Sequence, residues 1–332
     1  MNTTPESATA PVPEPVILTV PAESAESARS APLGDLTSYR WLVTGAAGQL
    51  GTELVRLLSP SGAVRALARS DLDLTDPAAV QRVVDAWLAE PGDGPPVVIN
   101  TAAYTAVDAA ESDEDTALAV NGDGPRNLAT AIAGRARLIH VSTDYVFAGD
   151  ASTPYGVDDE AEPRTAYGRT KLAGDLAVRE VAPDTGYVVR TAWVYGAYGP
   201  NFVKTMAKLS RDRETLQVVN DQLGSPTWTF DLARGLVELA LSDAPAAIYH
   251  CTGGGQTTWF DFTRAIFDEL GLDPQRVEPT TSEAFVRPAP RPAYSVLSQT
   301  EWAAAGLTPM PDWRNALHAA FERDGAALRG EA

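Results

Sequence analysis

From Arg40 onward, short apolar runs alternate with longer stretches in which apolar positions recur every three or four residues. The first run, "RWLVT", passes through "GAAGQ" into a segment that puts Leu50, Leu54, Leu57 and Leu58 on one helical face. The pattern then repeats. "AVRAL" predicts a strand, and "PAAVQRVVDAWLAE" a helix with proline in its first turn. "PVVIN" predicts the third strand, followed by a helical stretch over residues 115–134. "RLIHVST" is a strand, residues 166–181 a helix and "GYVVRT" another strand. Strands that are apolar almost throughout are buried on both faces, as in a parallel sheet covered by helices. The alternation therefore predicts an α/β fold with a doubly wound parallel sheet over residues 39–192. Beyond Trp193 the alternation weakens and Pro, Gly and aromatic residues become frequent. That shift predicts a smaller α/β substrate-binding lobe over residues 193–328, with some segments returning to the core of the first domain.

Residues 1–38 are rich in Pro, Ala, Ser and Glu and hold one short apolar run, "VILTV". So little apolar surface cannot offset the entropy of ordering, which predicts a disordered tail. No basic segment precedes the run, so a signal peptide is not expected. The net charge of −18 argues against nucleic acid or an anionic membrane as a partner. A single cysteine, Cys251, allows no internal disulfide and no Cys-based metal site, and no apolar run is long enough to span a bilayer. A cytoplasmic protein is expected.

The first chemical motif is Gly45-x-x-Gly48-x-x-Gly51 between the first strand and helix, a position that lets backbone N–H groups approach a pyrophosphate at the positive end of the helix. It predicts a dinucleotide. At the end of the second strand, Arg65 and Arg69 stand where NAD-selective sites usually carry an acid, and Asp71 comes later. Arginine there favours the 2′-phosphate of NADPH, with NADH as the alternative. Asp73 and Leu74 are then expected beside the adenine.

The chain has ten tyrosines and three lysines, and Tyr167 precedes Lys171 by four residues. On a helix the two share a face. A nearby ammonium favours the phenolate, so Lys171 is expected to lower the pKa of Tyr167 toward working pH. The strand "RLIHVST" ends at Ser142 and Thr143, at the sheet edge where ligands bind in such folds. Thr143 is the preferred partner for a substrate carbonyl, with Ser142 the alternative. His140 reads as a buried structural histidine, and "TTWFDFTRAIFDELG" as a packing helix with a broad apolar stripe.

The glycine turn and the Thr143, Tyr167 and Lys171 set resemble the extended short-chain dehydrogenase/reductases, which are Rossmann-like. Ordered blocks from Arg40 to about Trp313 resemble one branch, the dTDP-4-dehydrorhamnose reductase family: "GAAGQLGTEL", "VINTAAYTAVDAAE", "STDYVFAGD", "YGRTKLAGD", "RTAWVYG", "NFVKTMAKL", "DQLGSPTWTFDLA" and "RPAPRPAYSVL". The resemblance implies NADPH-dependent reduction of a 4-keto-6-deoxyhexose carried on dTDP, giving dTDP-L-rhamnose. It implies Thr143, Tyr167 and Lys171 as catalytic residues, Tyr167 and Lys171 also touching the cofactor. The rest of the cofactor site would be Gly45, Gly48, Gln49, Leu50 and Gly51 at the turn, with Arg69, Asp73, Leu74, Ala102, Ala103 and Thr105. Val107, Asp144, Tyr145 and Trp193 would line the sugar pocket with Asn201, Gln222 and Pro226 nearby. Arg291 is the candidate for the diphosphate, because guanidinium binds phosphate bidentately. Thr101 departs from the alanine usual in the family. The family also implies a monomer or a homodimer, Mg²⁺-bridged in some members, although no metal ligands are read from this chain. Reduction of another dTDP-deoxysugar, such as dihydrostreptose or an antibiotic sugar, is the rival reading; a non-catalytic regulatory homologue is the other.

Overall fold

The structure is a computed structural model that describes residues 33–331, apart from residues 63 and 133. The expected tail therefore lies mostly outside the described residues, but its last part does not. Leu33 and Leu36 pack against the core, and Trp41 Nε1 donates to the Leu36 carbonyl at 3.1 Å. The packed structure thus begins before residue 39, because a buried tryptophan N–H needs an acceptor and the preceding segment supplies it.

Strands β1 (Arg40–Thr44), β2 (Val64–Leu67), β3 (Pro96–Asn100), β4 (Arg137–Thr143) and β5 (Gly186–Thr191) pair in parallel, in the order β5-β4-β3-β1-β2. A sixth strand, Ile248–His250, comes from the C-terminal half and extends the sheet beside β5. All six residues of β5 are buried, as its mainly apolar run predicts for a strand covered on both faces, and the one charged member, Arg190, pairs with Asp175. One face is filled by Leu54, Leu58, Leu232, Leu236 and Trp302, and the other by Val80, Val84, Trp87, Leu128 and Val178. A third cluster, around Tyr195, Trp228, Phe262, Phe267 and Phe321, forms the second lobe.

The helical stretch expected over residues 115–134 is interrupted. Helix Glu114–Leu118 passes through a π-turn at Ala119–Asp123 into helix Gly124–Ile132. The break falls at "NGDG", where glycine and a backbone-competing Asn weaken the α-helical ladder.

Candidate active site

At the end of β1, Gly45 takes φ +69°, and a Cβ there would lie 2.6 Å from the Ala102 nitrogen. Gly51 sits in helix Gln49–Leu58, where a Cβ would overlap the Gly45 carbonyl oxygen. Gly45 lets the turn lie against the segment that follows β3, and Gly51 lets the helix lie against the turn. Gly48 caps the helix with no side-chain hydrogen bond, leaving the positive helix end to an external anion. A cavity of about 240 Å³ on one side of this turn is lined by Gly45, Arg69, Asp73, Leu74 and Ala102. On the other side a cleft of about 990 Å³ is lined by Gln49, Leu50 and Gly51, by Ala103 and Thr105, and by Thr143, Tyr167 and Lys171. Ala47, Gly48, Thr101 and Ala103 border both, so one groove runs over the turn.

Of the two arginines near β2, only Arg69 faces this groove; Arg65 is exposed and pairs with Glu90. Asp71 turns back to accept the Ala68 N–H at 2.8 Å, and Asp73 accepts both the N–H and the hydroxyl of Thr75. Thr101 fits its place by donating to the Thr44 carbonyl at 2.8 Å.

Tyr167 and Lys171 lie on helix Ala166–Val181, capped by Thr165, whose hydroxyl accepts the Gly168 N–H at 3.0 Å. Gly168 abuts the Tyr145 carbonyl and Gly174 the Asn121 carbonyl, with no room for a Cβ at either. These two glycines let the helix sit close enough for both side chains to reach the cleft. Lys171 is 1% exposed, and its Nζ donates to the Val141 carbonyl at 2.8 Å.

Behind Lys171 lies a buried polar chain. Asn100 Oδ1 accepts from the Thr44 hydroxyl and the Ala102 N–H, so its amide nitrogen donates to His140 Nδ1 at 3.0 Å. This leaves the His140 proton on Nε2, which is 3.4 Å from Lys171 Nζ and 4.0 Å from Asp175 Oδ1. Burial, reinforced by the Lys171 charge, holds the His140 pKa far below the ordinary histidine value. The ring is neutral, and its approach to Asp175 is not an ion pair. The partner of Asp175 is Arg190, at 3.1 Å.

The expected tuning of Tyr167 by Lys171 requires correction. Burial raises the Tyr167 pKa above its ordinary value, Thr143 opposes this, and the buried carboxyl groups of Asp144 and Asp175 add to it. Lys171 is itself desolvated, its pKa drawn down to about 8 by burial and partly restored by Asp175. Tyr167 is therefore a phenol at neutral pH, the form that can give a proton. Ser142 and Thr143 both line the cleft, but Ser142 interacts with Asp175 and Thr143 with Tyr167. Thr143 Oγ1 also donates to Asp144 Oδ1 at 3.0 Å. Burial raises the Asp144 pKa to about 6.

The Lys171 shift has a pH signature. Its ammonium is lost as pH rises through about 8, whereas the unfolded chain holds the proton to about 10.5. Between these values the unfolded state binds more protons, so this group's contribution to stability grows with pH. Activity that needs the ammonium goes the other way. We expect kcat/KM for the reduced cofactor, which reports the free enzyme, to decline through about pH 8. A profile flat from well below to well above that value would contradict the assignment.

At the far end of the cleft, Trp193 is the one described non-glycine residue with positive φ, +47°. Its indole stacks on Trp259 at 3.5 Å and fills the space a Cβ on Gly224 would need. Trp259 and Phe202 also line the cleft, so the helix expected only to pack contributes to the site. Val107, Asp144, Tyr145, Gln222 and Arg291 line it too. Asn201 and Pro226 are not among its lining residues. Asn201 is an N-cap, its carboxamide donating to Gln49 Oε1 at 3.2 Å and to the Gly196 carbonyl at 2.8 Å. The Pro226 carbonyl faces Gly253. Arg291 is engaged with Asp108 through two hydrogen bonds of 2.9 Å each.

Comparison with known proteins places this arrangement. The family model described as RmlD substrate binding domain matches residues 39–325. A dTDP-4-dehydrorhamnose reductase of Streptomyces griseus is 56% identical over 288 residues, covering 85% of this chain and 93% of that one. The chain belongs to the dTDP-4-dehydrorhamnose reductase family. A probable dTDP-4,6-dihydroxy-2-methyloxan-3-one 4-ketoreductase of Streptomyces antibioticus is 50% identical, covering 85% of this chain and 94% of its own. The crystal structure of a Bacillus anthracis dTDP-4-dehydrorhamnose reductase in complex with NADP superposes with a TM-score of 0.81 at 37% identity, covering 86% of this chain and 99% of that one.

One residue of this reductase-family site escaped the sequence reading. Asn121, in the π-turn, accepts the Tyr104 N–H at 2.7 Å and donates to the Tyr104 carbonyl and the Thr170 hydroxyl, each at 3.1 Å. It ties the groove wall to helix Ala166–Val181, and the "NGDG" break in a helical pattern was its only signal. Among the described residues no group of three or more His, Cys, Asp or Glu side chains could hold a metal ion, and no step below is routed through one.

Proposed function

We propose that this protein reduces the C4 ketone of dTDP-4-dehydro-L-rhamnose to dTDP-L-rhamnose with NADPH. The observation that carries the reading is a protonated, partly buried Tyr167 against Thr143, sharing with Lys171 a groove continuous with the glycine turn. The residues fit a dinucleotide: Gly45, Gly48 and Gly51 leave a cradle that side chains would fill, and Arg69 faces the adenosine side. When bound, the reduced nicotinamide supplies a hydride to the carbonyl carbon. The Thr143 hydroxyl exchanges its bond to Asp144 Oδ1 for one to the carbonyl oxygen and holds that oxygen toward Tyr167. The Tyr167 phenol gives that oxygen its proton as the carbon is reduced, so hydride and proton together make the alcohol. Lys171, buried and anchored on the Val141 carbonyl, faces the same cleft, where its ammonium would orient the nicotinamide ribose.

NADPH is preferred over NADH because Arg69, and not Asp71, faces the groove. Arg69→Ala is expected to lower kcat/KM with NADPH by about 10- to 100-fold, the worth of a charge-assisted hydrogen bond. The NADH value should stay nearly unchanged. Equal losses with both cofactors would remove Arg69 from the 2′-phosphate.

Reduction of another dTDP-keto sugar is the second reading, favoured by the 50% identity to the Streptomyces antibioticus ketoreductase. Turnover of dTDP-4-dehydro-L-rhamnose against other dTDP-4-keto-6-deoxyhexoses separates the two. No helix among the described residues is long and apolar enough to cross a membrane, and the lone cysteine, Cys251, is free and buried. A reducing cytoplasmic setting fits that thiol.

A further inference from the structure

The mouth of the cleft poses a charge problem. The protein carries a net charge of −18, and a nucleoside diphosphate sugar brings about two more negative charges. The cationic residues lining the cleft are Lys171, Arg287 and Arg291. Lys171 is buried at the Tyr167 end and donates to the Val141 carbonyl, so it is committed there. Arg291 is committed as well. Its Nη1 donates to Asp108 Oδ1 and the Ala289 carbonyl, and its Nη2 to Asp108 Oδ2. Asp108 is anionic: partial burial opposes its charge, but the Arg291 hydrogen bonds, the Ala289 N–H and both guanidinium charges outweigh this and hold its pKa below the ordinary value. Arg291 and Asp108 therefore cancel.

Arg287 is different. Its side chain is 61% exposed, it makes no hydrogen bond among the described residues, and its nearest acid is Asp108 Oδ2 at 3.9 Å, beyond hydrogen-bond reach. It follows the exposed Phe285 and Val286, and both Phe285 and Arg287 line the cleft. With two guanidiniums around one carboxylate, this cluster has a net charge of +1, and Arg287 supplies the excess. We infer that Arg287 is a binding residue for the diphosphate of the substrate, drawn from its loose contact with Asp108, while Asp108 fixes Arg291 as a positioned second donor. Arg291 keeps Nε–H and one Nη2–H uncommitted, so it can share the anion without leaving Asp108.

This inference rests on the nucleoside diphosphate reading of the substrate, and the test separates the two. Calorimetric titration of the NADP⁺-loaded protein with dTDP, dTMP and thymidine comes first. The substrate reading requires dTDP to bind the unaltered protein more tightly than thymidine, and the absence of dTDP binding would overturn that reading and this inference with it. Given that binding, Arg287→Ala is expected to weaken dTDP by about 10- to 100-fold, with thymidine unchanged and KM for the nucleotide sugar raised more than kcat is lowered. Arg287→Lys should recover part of the loss, and the affinity of the unaltered protein for dTDP should fall more steeply with salt than that of Arg287→Ala. Arg287→Ala binding dTDP as tightly as the unaltered protein would overturn the inference and leave the substrate reading intact.

Discussion

Tyr167→Phe is expected to lower kcat by about 10²–10⁴-fold, the usual worth of a positioned general acid. Folding and NADPH affinity should be retained. The hydroxyl is the group removed. The ring keeps its edge-on contact with Tyr145 at 5.6 Å and its packing against Ala110, Ala117 and Ala166. A loss of this size corresponds to roughly 3–5 kcal/mol of transition-state stabilisation. Steady-state rates with thermal unfolding and cofactor titration on the same preparation separate chemistry from folding. Turnover within a few-fold of the unaltered protein would take the proton-donor role from Tyr167. Loss of cofactor binding in parallel would instead make it chiefly a wall of the groove.

The second large effect is expected at the turn. A methyl group on Gly51 would overlap the Gly45 carbonyl oxygen and lie 2.8 Å from Ala46 Cα, so the backbone itself must move. Gly51→Ala should cost about 1–3 kcal/mol of stability, as overpacking does. It should also weaken NADPH binding at least about ten-fold, because the displaced turn is the one that presents the helix end to the pyrophosphate. Gly62→Ala is the matched control. Gly62 has φ +71° but open space around it, so the cost there is backbone strain of about 1–2 kcal/mol, without effect on the cofactor. Comparable NADPH affinity in both variants would refute the steric account of the turn.

How much of this was legible in the sequence differs from residue to residue. The central strands were legible because both their faces are covered, which leaves mainly apolar runs such as "PVVIN" and "GYVVRT". Tyr167 and Lys171 were legible because four residues on a helix fix a shared face whatever surrounds it. The state of Tyr167 was not. It is set by desolvation in a cleft assembled from β4, the segment after β3 and helix Ala166–Val181, and spacing along one helix carries no information about burial. Arg291 shows a second limit. Its partner Asp108 is 183 residues away, so the pairing that neutralises it is invisible until the chain has folded. Asn201 and Pro226 show a third, because proximity to site residues along a loop does not decide which way a side chain turns. Asn201 turns back to cap its own helix, and Pro226 meets Gly253 through its backbone carbonyl rather than lining the cleft.

The most direct test is NADPH consumption when the purified protein meets dTDP-4-dehydro-L-rhamnose generated in situ, with the product identified by nuclear magnetic resonance. The account predicts rapid oxidation of NADPH and accumulation of dTDP-L-rhamnose, with both abolished in Tyr167→Phe. Tight NADPH binding with no oxidation in the presence of this substrate would contradict it.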